Sequence, residues 1–294
     1  MKMKLPWRLT HRGGLFNTCV RAPLRRWRLR RQLLNKSAYI PNAITVVIPV
    51  RNRADHRLRN TLSTLAAQDY PRELIQITVV DYGSAMEARR GTASLCTEYN
   101  AKIIELPGKG VWNKPKCANY AIKRCQTEFL MSVDADNIFP TNFISELISS
   151  LKREPLSVVY SKMLDLDEDT VPLLMELSER NLSVPYEELE KTAVSRGAGD
   201  KHPGTFGTYT LFFNFIRGYD EQYEQWGWED NDIMERFIRL GLERISIKPK
   251  AKFLHQWHPK GEGSKNWQQS ATQNRIYYER TSSIMRNQTG WGEG

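Results

Sequence analysis

The stretch ITVVIPV at 44–50 is apolar but for Thr45, is mostly β-branched and has the length of a buried strand. The next segment, HRLRNTLSTLAAQ, changes period: Leu58, Leu62 and Leu65 recur at spacings of four and three, which predicts a helix. The alternation then repeats. Strands are predicted at 75–81 (IQITVVD), 101–107 (AKIIELP), 128–134 (EFLMSVD) and 156–161 (LSVVYS), with helices over KPKCANYAIKRC and after Pro140. Such alternation predicts an α/β fold with a mostly parallel sheet covered by helices on both faces. Residues 162–203 break the rhythm with an acidic, helix-leaning insertion and the glycine-rich SRGAGDKHPG, read as a mobile loop over 195–207. Beyond it the pattern predicts a strand over TYTLFFNF (208–215), a helix over about 229–240 and a short strand ERISI.

Sheets of this kind bind ligands beyond the carboxyl ends of their strands. The residues at those ends are Arg51, Asn52 and Arg53 after the first run, Asp81 at the end of the second, and Asp134 and Asp136 after the fourth. Arginines suit phosphates, and carboxylates suit a divalent cation or a sugar hydroxyl.

Charge sharpens this picture. The net charge is +10, yet residues 1–40 hold eleven Lys and Arg and no acid, leaving the remaining 254 residues near neutrality. Residues 1–40 are therefore expected to be a basic arm and 41–294 a single, nearly neutral folded domain. Cations mixed with Trp7, Phe16 and Trp27 suit an anionic membrane surface, with a solvated arm the plain alternative. A near-neutral body argues against a nucleic-acid partner. No apolar run reaches the length of a membrane span, and no continuous apolar stretch follows the basic start as in a secretory signal. The four cysteines lack C-x-x-C spacing. Cys117 and Cys125, eight helical residues apart, would lie ~12 Å from each other, too far to bridge. Reduced thiols fit a cytoplasmic setting, with peripheral association at the cytoplasmic face of a membrane.

Three constellations carry candidate chemistry. In DAD, Asp134 and Asp136 alternate across one residue, so in extended chain both carboxylates project to one side. His255 and His258 in LHQWHP, three residues apart, are candidate metal-ligating imidazoles; a site combining carboxylate, imidazole and phosphate ligands favours Mn²⁺, with Mg²⁺ the alternative. In EQWGWEDNDIMER, Glu229, Asp230 and Asp232 crowd a helix start, where negative charge is favoured in any case. The preceding Trp226-Gly227-Trp228 needs another reason: indole faces suit sugar rings, and a carboxylate held beside them can take a hydroxyl proton.

Together these motifs resemble metal-dependent glycosyltransferases of the GT-A fold. ITVVIPVRNR, VVDYGS and FLMSVDAD resemble the family 2 glycosyltransferases. WGWEDNDI resembles the W-G-x-E-D-x-D-I motif in the carboxy-terminal module of β-1,4-galactosyltransferases and related chondroitin-type enzymes. The resemblance covers roughly residues 43–260, with a donor half over about 41–160 and an acceptor module over about 200–260. It implies that Pro49, Arg51 and Arg53 contact the donor nucleotide and that Asp81 binds the uracil edge. Asn113, Lys114 and Lys116, in WNKPKCAN, would lie near the donor. Asp134 would hold ribose or metal. Asp136, His255 and His258 would ligate the metal, and Trp226 and Gly227 would line the donor sugar and acceptor. Asp230 would be the catalytic base and Glu229 would hold a sugar hydroxyl. Two departures stand out: Tyr82 replaces a commoner Asp or Asn, and Trp228 fills a position often taken by glycine.

The activity so implied is inverting transfer of a hexose or N-acetylhexosamine, galactose-type by resemblance, from a UDP-sugar to a glycan or lipid-linked oligosaccharide. The alternatives are a retaining transferase on the same fold and an inactive adaptor with a basic arm. The adaptor reading predicts loss of at least one of the three constellations, and all three are intact.

Overall fold

A computed structural model of the chain describes residues 22–33, 38–108, 110–195, 204–259, 261 and 266–293. Helix α1 (Ala22–Leu33) is followed by β1 (Ile40–Val50), α2 (His56–Ala66), β2 (Ile75–Tyr82), α3 (Met86–Glu98), β3 (Lys102–Leu106), α4 (Lys114–Lys123) and β4 (Thr127–Ser132). Next come β5 (Asn137–Ile138), α5 (Phe143–Arg153), β6 (Ser157–Tyr160), β7 (Met163–Asp165), α6 (Val171–Glu179), α7 (Tyr186–Thr192) and β8 (Val194–Ser195). The chain ends with β9 (Phe206–Tyr209), α8 (Thr210–Ile216), α9 (Glu229–Leu240), β10 (Glu243–Ser246), β11 (Phe253–His255) and α10 (Trp267–Arg280).

The main sheet has seven strands in the order β10-β6-β9-β4-β1-β2-β3. It is α/β and mostly parallel, as the alternation predicts. The continuous apolar runs are buried on both faces: Ile44, Val46, Val47 and Ile48 of β1 and Phe129, Leu130 and Met131 of β4 have no solvent exposure. Parallel register sets Val50 beside Asp81, and Asp81 beside Glu105, so the strand ends expected to carry chemistry lie along one edge.

One strand departs from the expectation. β9 runs antiparallel to both β4 and β6, and the strand predicted at 208–215 stops at Tyr209. Residues 210–216 are helix α8. Its Phe212, Phe213 and Ile216 are buried at helical spacing, and Thr210 Oγ1 donates to Thr127 O at 2.7 Å where the strand ends. An aromatic run has strand propensity, but here packing decides the period. A second departure is α3, which no periodicity signals. It carries Gly91 in mid-helix because a Cβ there would lie 2.8 Å from Ala54 Cβ.

A second sheet, β5-β11-β7-β8, joins the segment after DAD to the histidine segment and to the acidic insertion. The insertion covers it with its own small core of Leu164, Leu166, Leu174, Tyr186 and Leu189 around Ile138 and Leu254. Within the basic segment, α1 buries Leu29 and Leu33, while Arg26 donates to Gly241 O and pairs with Glu243. The remainder of that arm, and residues 196–203 of the expected loop, lie outside the described residues.

Candidate active site

Asn113 starts α4. Its side-chain oxygen accepts from Lys116 N at 2.8 Å, capping the helix, and its amide donates to Glu221 O at 3.0 Å. That cap aims the next side chain, Lys114, into the site, where it is almost fully buried. Lys114 Nζ lies 2.8 Å from Asp134, 3.1 Å from Asp230 and 3.6 Å from Glu229. One ammonium thus joins the first DAD aspartate to Glu229 and Asp230, two of the three acids of the helix-start motif. Burial alone would lower the lysine's pKa, but Asp134, Asp230 and Glu229 together hold it well above its ordinary value. It is a fixed cation, not a base.

Asp230 behaves in the opposite way. Burial raises its pKa, Lys114 pulls it down, and Glu229 and Asp134 push it back up, so it settles at about 7. A carboxylate poised there is matched to removing a proton near neutral pH. Its Oδ1 also accepts from the buried Tyr219 hydroxyl at 3.2 Å, and that hydroxyl bridges to Ser132 Oγ at 2.9 Å. Burial and the Asp230 charge hold the Tyr219 phenol well above its usual value, so it remains a donor. Tyr219 lies outside the motifs, and Ser132, although within FLMSVDAD, has no role that the motif implies.

The two DAD aspartates serve different neighbourhoods. Among the described residues, Asp136, His255 and His258 form a group whose ligand atoms all lie within 4.8 Å of one another, without Asp134. Asp136 lies 3.9 Å from His255 Nε2 and 3.5 Å from His258 Nε2. Asp136 Oδ1 is buried and has no hydrogen-bond partner among the described residues. A carboxylate whose Oδ1 is orphaned beside His255 while its Oδ2 lies toward His258 fits a divalent cation that accepts mixed oxygen and nitrogen ligands, as Mn²⁺ does. Gly204, the described end of the glycine-rich segment, abuts Asp134: a Cβ there would meet its Oδ2 at 3.5 Å.

At the carboxyl end of β2, Asp81 is fully buried. One oxygen accepts from Ser84 N at 2.9 Å, and the other has no hydrogen-bond partner among the described residues. An unsatisfied acceptor at a strand end suits an N–H on a ligand. Gly83, at φ +64°, shapes this edge, because a Cβ there would fall 2.3 Å from Gly108 O. Tyr82 packs edge-on against Trp112 at 6.0 Å and lines a cleft of about 290 Å³ with Lys116 and Glu221. Lys116 therefore faces that cleft, apart from the Lys114 cluster. Buried Pro49 pairs with Val80 in β1, just before the loop. Arg51 donates to Gly110 O at 2.8 Å, and Arg53 pairs with Asp55 at 3.4 Å. Burial pushes the Cys96 thiol up to about 12, with the Asp81 charge adding to it, so this cysteine is no nucleophile.

Trp226 is 54 % exposed and meets Trp267 of α10 edge-on at 5.5 Å. Trp228 has φ +76°, which explains why glycine commonly serves at this position; its indole packs on Tyr278 at 5.1 Å. Asn274 of α10 donates to the carbonyls of Glu224, Trp226 and Gly227 at 3.0–3.1 Å. Helix α10, which the sequence pattern does not mark, thus supports the loop that leads into Asp230.

Residues 45–215, more than half of the chain, match the family model described as glycosyl transferase family 2. Residues 200–259 match a second model, described as the N-terminal domain of galactosyltransferase. The chain is 25% identical over 132 residues to the poly(ribitol-phosphate) beta-N-acetylglucosaminyltransferase TarS of Staphylococcus aureus (strain Mu50), covering 45% of this chain and 22% of that protein. It is 30% identical over 125 residues to an N-acetylglucosaminyltransferase of Mesorhizobium japonicum, covering 41% of this chain and 28% of that protein. The chain thus spans less than a third of either relative.

Among solved structures, S. aureus TarS 1–349 in complex with UDP-GlcNAc superposes with a TM-score of 0.54 at 19% identity, covering 74% of this chain and 59% of that one. The mannosyltransferase PcManGT from Pyrobaculum calidifontis, in complex with GDP-Man and Mn²⁺, superposes at 0.56 and 16% identity, covering 89% and 73%. At these identities the likeness speaks for the fold alone, and that fold is the GT-A arrangement expected from the motifs.

Proposed function

This chain belongs to glycosyl transferase family 2, and from that premise we propose that its cleft performs inverting transfer of an N-acetylhexosamine from a UDP donor to a glycan or lipid-linked hydroxyl. The observation that carries the reading is Asp230: a largely buried carboxylate with its pKa raised to about 7, held 3.1 Å from Lys114 Nζ and 3.2 Å from the Tyr219 hydroxyl. Asp230 takes the acceptor hydroxyl proton. The oxygen bonds to the anomeric carbon as the bond to UDP breaks, and UDP leaves with the electron pair from the opposite face. Lys114 keeps Asp230 oriented, and Glu229 is placed to accept from a sugar hydroxyl. Asp136, His255 and His258 would hold a divalent cation, which supplies charge neutralisation on the departing diphosphate. The unpartnered Asp81 oxygen supports uracil recognition through its N–H.

The N-acetylhexosamine is favoured because TarS and the Mesorhizobium protein are both named for N-acetylglucosaminyl transfer. The galactose-type donor implied by the WGWEDNDI motif is the competing arm of a donor screen. Calorimetric binding of UDP tests the donor site. With Mn²⁺, binding is expected in the micromolar range and should weaken at least tenfold in EDTA, a difference of about 1.4 kcal/mol. Equal binding in EDTA would remove the metal from the account.

The basic arm supports peripheral attachment to an anionic membrane at its cytoplasmic face. On α1, Trp27, Arg28, Arg30 and Arg31 are exposed while Leu29 and Leu33 are buried, and no helix among the described residues is long and apolar enough to cross a membrane. Replacing Arg28, Arg30 and Arg31 with Glu should release the protein from phosphatidylglycerol vesicles at 0.1 M salt, at roughly 1 kcal/mol per charge removed. Unchanged co-sedimentation would show that this face does not contact lipid.

A further inference from the structure

We propose that Asp165, at the root of the acidic insertion, is a positioning residue for the metal site, fixing the tautomer and orientation of His255. This rests on the reading of Asp136, His255 and His258 as cation ligands. The geometry is built by the second sheet. β11 pairs with β5 on one side and β7 on the other, so His255 lies in register with both Asn137 and Asp165. Leu166 N donates to His255 O at 3.0 Å, and Gln256 N donates to Asp136 O at 2.9 Å, locking all three segments together.

Asp165 Oδ1 lies 3.1 Å from His255 Nδ1. A carboxylate accepts and does not donate, so this contact places the ring proton on Nδ1. The lone pair is then on Nε2, the nitrogen that faces Asp136. An imidazole with its outer N–H on a carboxylate is both oriented and made more basic toward a cation, and loss of such a partner typically weakens metal binding 10–100-fold. The insertion thus has a role at the catalytic centre: β7 brings in Asp165, and the small core under α6 and α7 holds β7 against β11. No sequence motif marks Asp165, which is one of many acids in MLDLDEDT.

The test is Mn²⁺ affinity, measured by electron paramagnetic resonance on the full chain without donor or acceptor. Wild type, Asp165→Asn, Asp165→Ala and His258→Ala are compared. Asp165→Ala is expected to bind Mn²⁺ 10–100-fold more weakly than wild type. Asp165→Asn, which keeps an acceptor oxygen but loses the charge, should fall between them. His258→Ala should lose most binding whatever Asp165 does. If wild type binds and Asp165→Ala binds equally well, the role of Asp165 is overturned while the metal site stands. If wild type itself binds no Mn²⁺, the metal reading fails first and the proposal falls with it. Nitrogen-15 NMR of the metal-free wild type gives a readout that does not depend on any variant folding: the His255 proton is expected on Nδ1, and a proton on Nε2 would refute the assignment.

Discussion

Asp230→Asn is expected to lower kcat by about 10²–10⁴-fold, the usual contribution of a positioned general base, while UDP affinity changes less than about threefold. Asparagine keeps the shape and can still meet Lys114 and Tyr219, but it cannot take up a proton. The split between kcat and binding separates loss of the base from collapse of the site. The pH profile gives a second check. Burial, opposed by Lys114 and reinforced by Glu229 and Asp134, leaves Asp230 at about 7, well above the ordinary carboxylate range. The base must be ionised to work, so wild-type kcat should rise with pH along a limb centred near 7 and level off above it. The same shift acts on stability with the opposite sign. A carboxyl whose folded pKa is raised favours the protonated fold, so its contribution is full below about 4 and is lost as pH rises through 7.

Lys114→Met should destabilise the protein by about 3 kcal/mol and abolish most transfer. The lysine is the shared partner of Asp134, Glu229 and Asp230, and breaking a buried pair leaves carboxylates uncompensated. Asp134 stays 38 % exposed, so solvent relieves part of the cost, which places the effect at the low end of the usual range. The loss should be largest at alkaline pH and shrink on acidification, because protonating the orphaned carboxylates removes the repulsion. Since Lys114 draws the Asp230 pKa down against burial, any residual activity should have its rising limb above pH 7. Lys114→Arg keeps the charge and should recover most of the stability. A Lys114→Met melting temperature equal to wild type at pH 8 would show that the cluster does not hold the site together.

Much of this site could be read from the chain because its parts sit at ends of strongly patterned elements. The largely apolar, β-branched runs at 44–50 and 75–80 mark β1 and β2, and Asp81 follows from where the second run stops. The helix-start acids precede an amphipathic helix, so Glu229 and Asp230 were visible as a motif. What the pattern hides is set by packing. The antiparallel course of β9 depends on its two neighbours, not on its own residues. Helix α8 is written in strand-forming aromatics, and α10 is largely polar on the outside.

The electrostatics were less legible still. Spacing alone puts Asp134 and Asp136 together, yet Lys114 claims the first and the histidines face the second. Tyr219 and Asp165 touch the key groups only because loops and a second sheet bring distant segments together. The signal that finds them is a contact, and one sequence contains no contacts. Trp228 is the converse case: its departure from glycine was visible, but its cause, a left-handed backbone at φ +76°, was not.

An inverting transferase with Asp230 as its base must direct attack from the face opposite UDP. In the absence of an acceptor, water can take the acceptor's place, so the decisive measurement is proton NMR of UDP-α-N-acetylhexosamine turning over with wild-type enzyme and Mn²⁺. The β-anomer of the free sugar should form first, before mutarotation, and should be lost in Asp230→Asn. Release of the α-anomer first, or an equal rate in Asp230→Asn, would contradict the assignment of Asp230 as the base of an inverting transferase.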